Sequence, residues 1–297
     1  MKQIKMDRRA VLAGLGAAAL PGLAAPAFGQ VPPGPGRGNR PPPTEEEIAA
    51  ALPLKTTGLE HFAMLVPDVA LAGRFYSKLF NPDGLHKEAR GNLRYYVTLD
   101  PGYVAIGGRD EPPPPYMDHF CALVEDYNAG AMSARLEQEG VPPGRVGILP
   151  DPNGIGLQLL GVPGGLAGST EPASRVVNGD ALVTPMGLDH MLLFVNDLEE
   201  SLAFYSMFFD GEVIRETEPD RAWIVIENTR LGLQARPSNA PPRVDQFGVK
   251  IAPFDREALS AELRIIGATI APDDPHDPSV LRCRDPHGFG IALVPTS

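Results

Sequence analysis

Gly58-Leu59-Glu60-His61-Phe62 returns as Gly187-Leu188-Asp189-His190-Met191, an offset of 129 residues. Phe75-Tyr76-Ser77 returns at the same offset as Phe204-Tyr205-Ser206, and Asp151-Pro152-Asn153-Gly154 is echoed by Asp285-Pro286-His287-Gly288. Motifs recurring in register over such distances mark a duplicated body rather than chance composition. Each half repeats again. Met117-Asp118-His119-Phe120 restates Leu59-Glu60-His61-Phe62, and Val244-Asp245-Gln246-Phe247 restates Leu188-Asp189-His190-Met191. Four units of about 55 residues result. A unit of that size is marginal alone, so units pair within each half.

Periodicity inside a unit alternates between strand and helix. Residues 58–66 read as a buried strand, and 69–80 place Val69, Leu71, Ala72, Phe75, Tyr76, Leu79 and Phe80 at helical spacing. Strands follow near 85–89, 93–99 and 103–106, with Pro101-Gly102 as a turn. The third unit repeats the order: strand 188–195, helix 198–209, then strands at 212–215, 222–226 and 231–235. The expected fold class is α+β, built from four βαβββ modules.

Outside the repeats the chain changes character. Lys2, Lys5, Arg8 and Arg9 form a basic head before an uncharged Ala/Gly/Leu-rich run to Gly29, which ends in small residues suited to cleavage. Asp7-Arg8-Arg9-Ala10-Val11-Leu12 resembles the twin-arginine export motif, so residues 1–29 are expected to be a signal peptide. That resemblance implies the bacterial export machinery as a partner and a periplasmic or secreted product. The run is too Ala/Gly-rich, and too broken by Pro21, for a stable membrane anchor. Residues 30–56 are expected to be a Pro/Gly-rich linker with a short helix capped at Thr44-Glu45-Glu46-Glu47. The first domain then spans 57–162, a linker 163–185 and the second domain 186–296. The chain of 297 residues is 43% hydrophobic with a formal net charge of -11, which excludes a disordered polymer and argues against a nucleic-acid partner. Two cysteines exclude a disulfide scaffold.

Four βαβββ units, a His at the start of the first strand and a D-P-x-G turn before the last strand resemble the vicinal oxygen chelate superfamily. That superfamily comprises glyoxalases, extradiol ring-cleaving dioxygenases, fosfomycin-resistance enzymes and bleomycin-binding proteins. The resemblance implies two paired-module domains whose curved mixed sheets each wrap a cavity. It also implies a small-molecule substrate with vicinal oxygens, held by a divalent metal ion. Fe(II) or Mn(II) is favoured over Zn(II), and the chemistry is that of a dioxygenase or a glyoxalase-type lyase or isomerase. The alternative is a non-catalytic small-molecule-binding protein of the bleomycin-resistance type. A third reading makes the second half an oligomerisation surface in a homo-oligomer.

By that resemblance the metal candidates are His61, His119 and Gln158. His61 and His119 hold the same place in successive units, and Gln158 stands where relatives carry a metal-binding Glu. Two imidazoles and one oxygen donor leave open positions for substrate oxygens, although a neutral amide is a poorer donor than a carboxylate. In the second half His190 keeps its place, Gln246 replaces the second His and Ala292 stands where Gln158 does. With Gln234, His190 and Gln246 make a neutral set suited to hydrogen-bonding a ligand rather than a cation. Tyr95, Tyr96 and Tyr103 are expected to pack, the alternative being that they line the cavity or donate a proton. Cys121 shares strand parity with His119, which offers it a place facing the cavity, but the expected role is a buried inert thiol, unpaired with Cys283. His287 is expected to be exposed in its turn.

Overall fold

The computed structural model describes residues 41–89, 92–109, 114–142, 144, 147–168 and 173–296. Residues 1–29, expected from the sequence to be an export signal, and residues 30–40 of the expected linker lie outside the described residues. Thr44 caps α1 (Glu45–Ala49) through a reciprocal box: its hydroxyl accepts from the Glu47 N–H, and the Glu47 carboxylate accepts from the Thr44 N–H.

The first module runs β1 (Thr56–Leu65), α2 (Val69–Leu79), β2 (Asp83–Ala89), β3 (Asn92–Thr98) and β4 (Tyr103–Gly107). The second runs β5 (Tyr116–Val124), α3 (Ala129–Gln138), β6 (Ile148–Pro150) and β7 (Gly156–Gly161), three strands among the described residues. Residues 163–185, read from sequence as a linker, contribute β8 (Ser174–Arg175), which pairs with β2 and ties Arg175 to Asp83. The third module runs β9 (Thr184–Val195), α4 (Leu198–Phe208), β10 (Val213–Thr217), β11 (Asp220–Ile226) and β12 (Thr229–Ala235). The fourth runs β13 (Arg243–Ala252), α5 (Arg256–Ile265), β14 (Thr269–Ile270), β15 (Leu281–Arg284) and β16 (Gly290–Pro295). Each module helix starts on an Asx cap, at Asp68, Asn128, Asp197 and Asp255 in turn. Among the described residues no helix is long and apolar enough to cross a membrane.

Two mixed eight-stranded sheets result, in the orders β6-β7-β5-β1-β4-β3-β2-β8 and β10-β11-β12-β9-β13-β16-β15-β14. In each, the first strands of two modules pair antiparallel at the centre, β1 with β5 and β9 with β13, flanked by the parallel last strands. This is the α+β architecture that the repeats predict.

The sequence suggests a separate core for each half, but the halves share one. Phe62, Met64 and Phe120 from one sheet and Met191, Phe247 and Val249 from the other belong to a single buried cluster with Tyr76, Tyr205 and Phe208. The rings of Phe62 and Phe247 lie 4.2 Å apart. A pseudo-symmetric pair of hydrogen bonds fastens the halves. Tyr76 on α2 donates to Asp285 (2.9 Å), and Tyr205 on α4 donates to Asp151 (3.1 Å). Each Asp also accepts backbone N–H groups of its own turn, from Asn153 and Ile155 or from His287 and Phe289. The D-P-x-G turns are therefore interdomain clasps. Their third residues complete the contact: Asn153 reaches Asn196 N and Ser201, and His287 reaches the Asp68 carbonyl at 3.1 Å. His287 is thus half-buried at the joint, not an exposed turn residue. Burial raises the pKa of both aspartates and both tyrosines, because each buried charge loses water.

Candidate metal centre

The repeated tetrads are β-bulges. In the β1–β5 ladder Leu59 faces Ala122 and His61 faces Cys121, which leaves Glu60 as the extra residue; Asp118 is skipped in the same way. In the β9–β13 ladder Asp189 and Asp245 are skipped. Core membership shows the consequence. Leu59 and Phe62, Met117 and Phe120, Leu188 and Met191, and Val244 and Phe247 all point into the shared core. The two residues between each pair therefore turn together to the opposite, outer face of the sheet.

This places a carboxylate beside each histidine. Glu60 contacts His61 Nδ1, Asp118 Oδ2 lies 2.8 Å from His119 Nδ1, and Asp189 Oδ2 lies 2.7 Å from His190 Nδ1. A neutral imidazole whose Nδ1–H donates to a carboxylate carries its lone pair on Nε2, the arrangement that suits a metal ligand. His61 and His119 are 3% and 4% exposed, and their rings stand edge to face with centroids 5.6 Å apart. The structure thus brings the two candidate histidines of the first domain together. Strand register orders the rest of the outer face. Tyr103, His61, Cys121, Gln158 and Ile148 form one row across β4, β1, β5, β7 and β6. Gln158 therefore sits two strands from His61, with Cys121 between them, and one step along the sheet from His119.

Above this row lies a small apolar wall separate from the main core: Ala63, Tyr103 and Ala105, with Tyr96 and Leu166 packed against it. Tyr103 stacks on His61 with centroids 4.4 Å apart. Burial, and then the nearby Glu60 charge, pushes the Tyr103 phenol far up, so it remains a neutral hydrogen-bond donor. Leu166 belongs to the 3₁₀ turn Gly165–Gly168, which crosses this face. Gly165 holds a positive φ of 61°, which favours glycine, and its bare Cα lets the turn lie against the Glu60 carboxylate and the Tyr103 ring. Tyr95 points the other way and packs on the core. Of the three tyrosines, Tyr96 and Tyr103 thus take the cavity-lining place that the sequence offered as the alternative to packing, and Tyr95 packs.

Among the described residues, the His, Cys, Asp and Glu ligand atoms that converge are those of Glu60, His61 and Cys121, all within 4.8 Å of one another. Burial, and then the Glu60 charge, raises the Cys121 thiol pKa well above its usual range. An imidazole, a carboxylate and a thiol are donors that a divalent cation accepts, while His119, its ring 5.6 Å from that of His61, is not among these converging atoms. Sequence parity could not reveal Glu60, since without the bulge it would point away from His61.

The second domain fills the same place with a closed polar chain. Arg282 donates to Gln246 Oε1 (3.0 Å), the Gln246 amide meets His190 Nε2 (3.0 Å), and Asp189 takes both His190 and Arg230 (2.6 Å). Trp223 stands edge to face with His190 and is flanked by Arg221 and Arg230, each 5.0 Å from its ring. Burial would raise the Asp189 carboxyl, but its bonds to His190 and Arg230 outweigh that and hold it well below the usual range. With His190 Nε2 engaged, this set does not fit a metal. Gln234 does not join it. His190 pairs with Arg230, whereas Gln234 pairs with Phe194, four residues and about 13 Å further along the strands. Arg230 and Arg282, which the sequence reading missed, take that role.

The comparisons agree with this architecture. Residues 187–293 match the family model of the Glyoxalase/Bleomycin resistance protein/Dioxygenase superfamily. None of the curated proteins matches the sequence. Among solved structures, a catechol 2,3-dioxygenase is similar at TM-score 0.61 and 13% identity, covering 82% of this chain and 89% of its own. A 2,2',3-trihydroxybiphenyl 1,2-dioxygenase from Sphingomonas wittichii gives TM-score 0.58 at 13% identity, with 82% and 91% covered. The Mn(II)-bound glyoxalase from Novosphingobium aromaticivorans gives 0.56 at 13%, with 82% and 83% covered. At such identity these likenesses establish the fold alone. The family match thus covers residues 187–293, and the fold likeness to the solved structures extends over both halves of the body.

Proposed function

We propose that the protein is an exported, metal-dependent enzyme whose first domain holds a divalent ion on His61, His119 and Gln158 and acts on a small substrate with vicinal oxygens, in the manner of an extradiol dioxygenase. The observation that carries this reading is the ring-to-ring placement of His61 and His119, each pinned through Nδ1 by a bulged carboxylate. When bound, a divalent ion acts as a Lewis acid toward chelated oxygens, and iron adds the capacity to activate O₂. The chain's own groups supply the setting. Glu60 and Asp118 fix the imidazoles, Tyr103 offers a neutral phenol beside His61, and Leu166 with the apolar wall excludes water.

The test loads the mature protein with Fe(II) or Mn(II), supplies catechol and follows O₂ uptake with an electrode. Uptake that is lost in His119→Ala is expected. A protein that takes up neither metal nor O₂, yet binds catechol, would instead be a small-molecule-binding member of the superfamily. Export is tested separately. Arg8→Lys/Arg9→Lys should leave the precursor in the cytoplasm, and an undiminished periplasmic pool would refute it.

A further inference from the structure

We propose that Cys121 is a thiolate ligand of the first-domain centre, which turns the ion preference of that centre from Mn(II) toward Zn(II), Co(II) and Fe(II). The proposal rests on reading the first domain as a metal centre, and it assigns a ligand that this reading leaves out. Three observations carry it. The Cys121 sulfur lies within 4.8 Å of a His61 ring nitrogen and a Glu60 oxygen. Around a tetrahedral ion, sulfur and nitrogen ligands sit about 3.5 Å apart, so a bound ion would draw these two atoms closer than that limit.

The second observation is register. Cys121 pairs with His61 on one side and with Gln158 on the other. Strands lie about 4.8 Å apart, so an ion shared by His61 and Gln158 has to sit over the strand between them. Cys121 is the residue beneath it.

The third observation is the contrast between equivalent positions. Cys121 is fully buried yet absent from the main core, whereas Cys283 packs inside that core. In the second domain the place of Cys121 is taken by Gly248, and a Cβ there would lie 2.4 Å from the His190 ring. His190 leans over that glycine, while His61 is turned aside onto Tyr103. The domain with the closed polar chain thus lacks the sulfur as well. Chemically, a thiolate restores the negative ligand that Gln158 cannot provide. The Cys121 S–H bond breaks as sulfur bonds the ion, and the proton leaves to solvent by way of the adjacent Glu60 carboxylate. Thiolate with imidazole suits zinc and iron, while Mn(II) prefers oxygen donors.

The test adds Co(II) to the reduced full-length mature protein and records its absorption. A sulfur-to-cobalt charge-transfer band in the near ultraviolet is expected, absent from Cys121→Ser and intact in Cys283→Ser. Zn(II) affinity should fall about tenfold or more in Cys121→Ser, with Mn(II) affinity changed much less. Should Cys121→Ser fail to fold, X-ray absorption at the zinc edge of the wild type should show one sulfur near 2.3 Å. Visible cobalt bands without the charge-transfer band, or a zinc shell of nitrogen and oxygen only, would overturn the thiolate and spare the metal centre. Failure to bind Co(II) or Zn(II) at all would overturn the metal centre itself.

Discussion

The outer faces of the two sheets share one scaffold and have opposite contents. Row for row, His61 answers to His190, Tyr103 to Arg230, Cys121 to Gly248, Gln158 to Ala292 and Ile148 to Arg282. In the second domain every polar group is spent on another: Arg282 on Gln246, Gln246 on His190, His190 and Arg230 on Asp189. Trp223 occupies the remaining space between Arg221 and Arg230. In the first domain the described residues that wall this face beside His61 are Tyr96, Tyr103 and two alanines. The difference teaches that one bulged backbone can carry two unlike faces. Two arginines and one tryptophan complete a satisfied polar chain on the second, over bulges at the same places as in the first.

The comparison breaks first at the histidines. His61→Ala or His119→Ala removes one imidazole from a set with no carboxylate ligand from the last strand, and metal retention should vanish in elemental analysis. His190→Ala should retain metal as the wild type does. A smaller effect is expected one contact further out. Asp118→Asn keeps the shape but weakens the hold on His119 Nδ1, and titration should show metal affinity lower by about 10- to 100-fold. The same change at Asp245, which serves Arg243 rather than a histidine, should leave affinity unaltered.

How much of this was legible in the sequence depends on what each feature required. The strands and helices followed from periodicity, because each module strand carries one apolar face and each helix an Asx cap. The tetrads revealed the repeat, but their physical meaning did not show. In a regular strand Glu60 and His61 point to opposite faces, and only the ladder register exposes the bulge. Gln234 has the right parity for the outer face and the wrong row, a distinction that parity cannot make. Arg230 and Arg282 are far apart in sequence and ordinary in composition, so the filling of the second site needed coordinates. The D-P-x-G turns were recognised as a repeat, while their tyrosine partners lay in the opposite half.

Those clasps sharpen the comparison in stability rather than binding. Tyr76→Phe and Tyr205→Phe each remove the donor to a buried aspartate while keeping the ring. Each should lower unfolding stability in urea by about 1–3 kcal/mol without altering metal affinity. The smallest expected effect is in pH dependence. Asp189 is held well below its unfolded value, so its contribution is full above the ordinary carboxylate range and declines as pH falls from there toward the lowered folded value. Asp151 and Asp285 are raised by burial and act with the opposite sign, favouring the folded state most when protonated. In Asp189→Asn, the melting temperature should fall short of wild type at pH 6 by more than at pH 3.

The central claim is that one face holds an ion and its twin does not. Co(II) titration of the mature protein, followed through isotope-labelled alanine methyl signals, tests it directly. One equivalent should bind and shift Ala63 and Ala105, which flank His61 and His119, while Ala292 beside Gln246 and Arg282 stays in place. A shift at Ala292, a second equivalent of comparable affinity, or unmoved Ala63 and Ala105 at saturation would contradict the account.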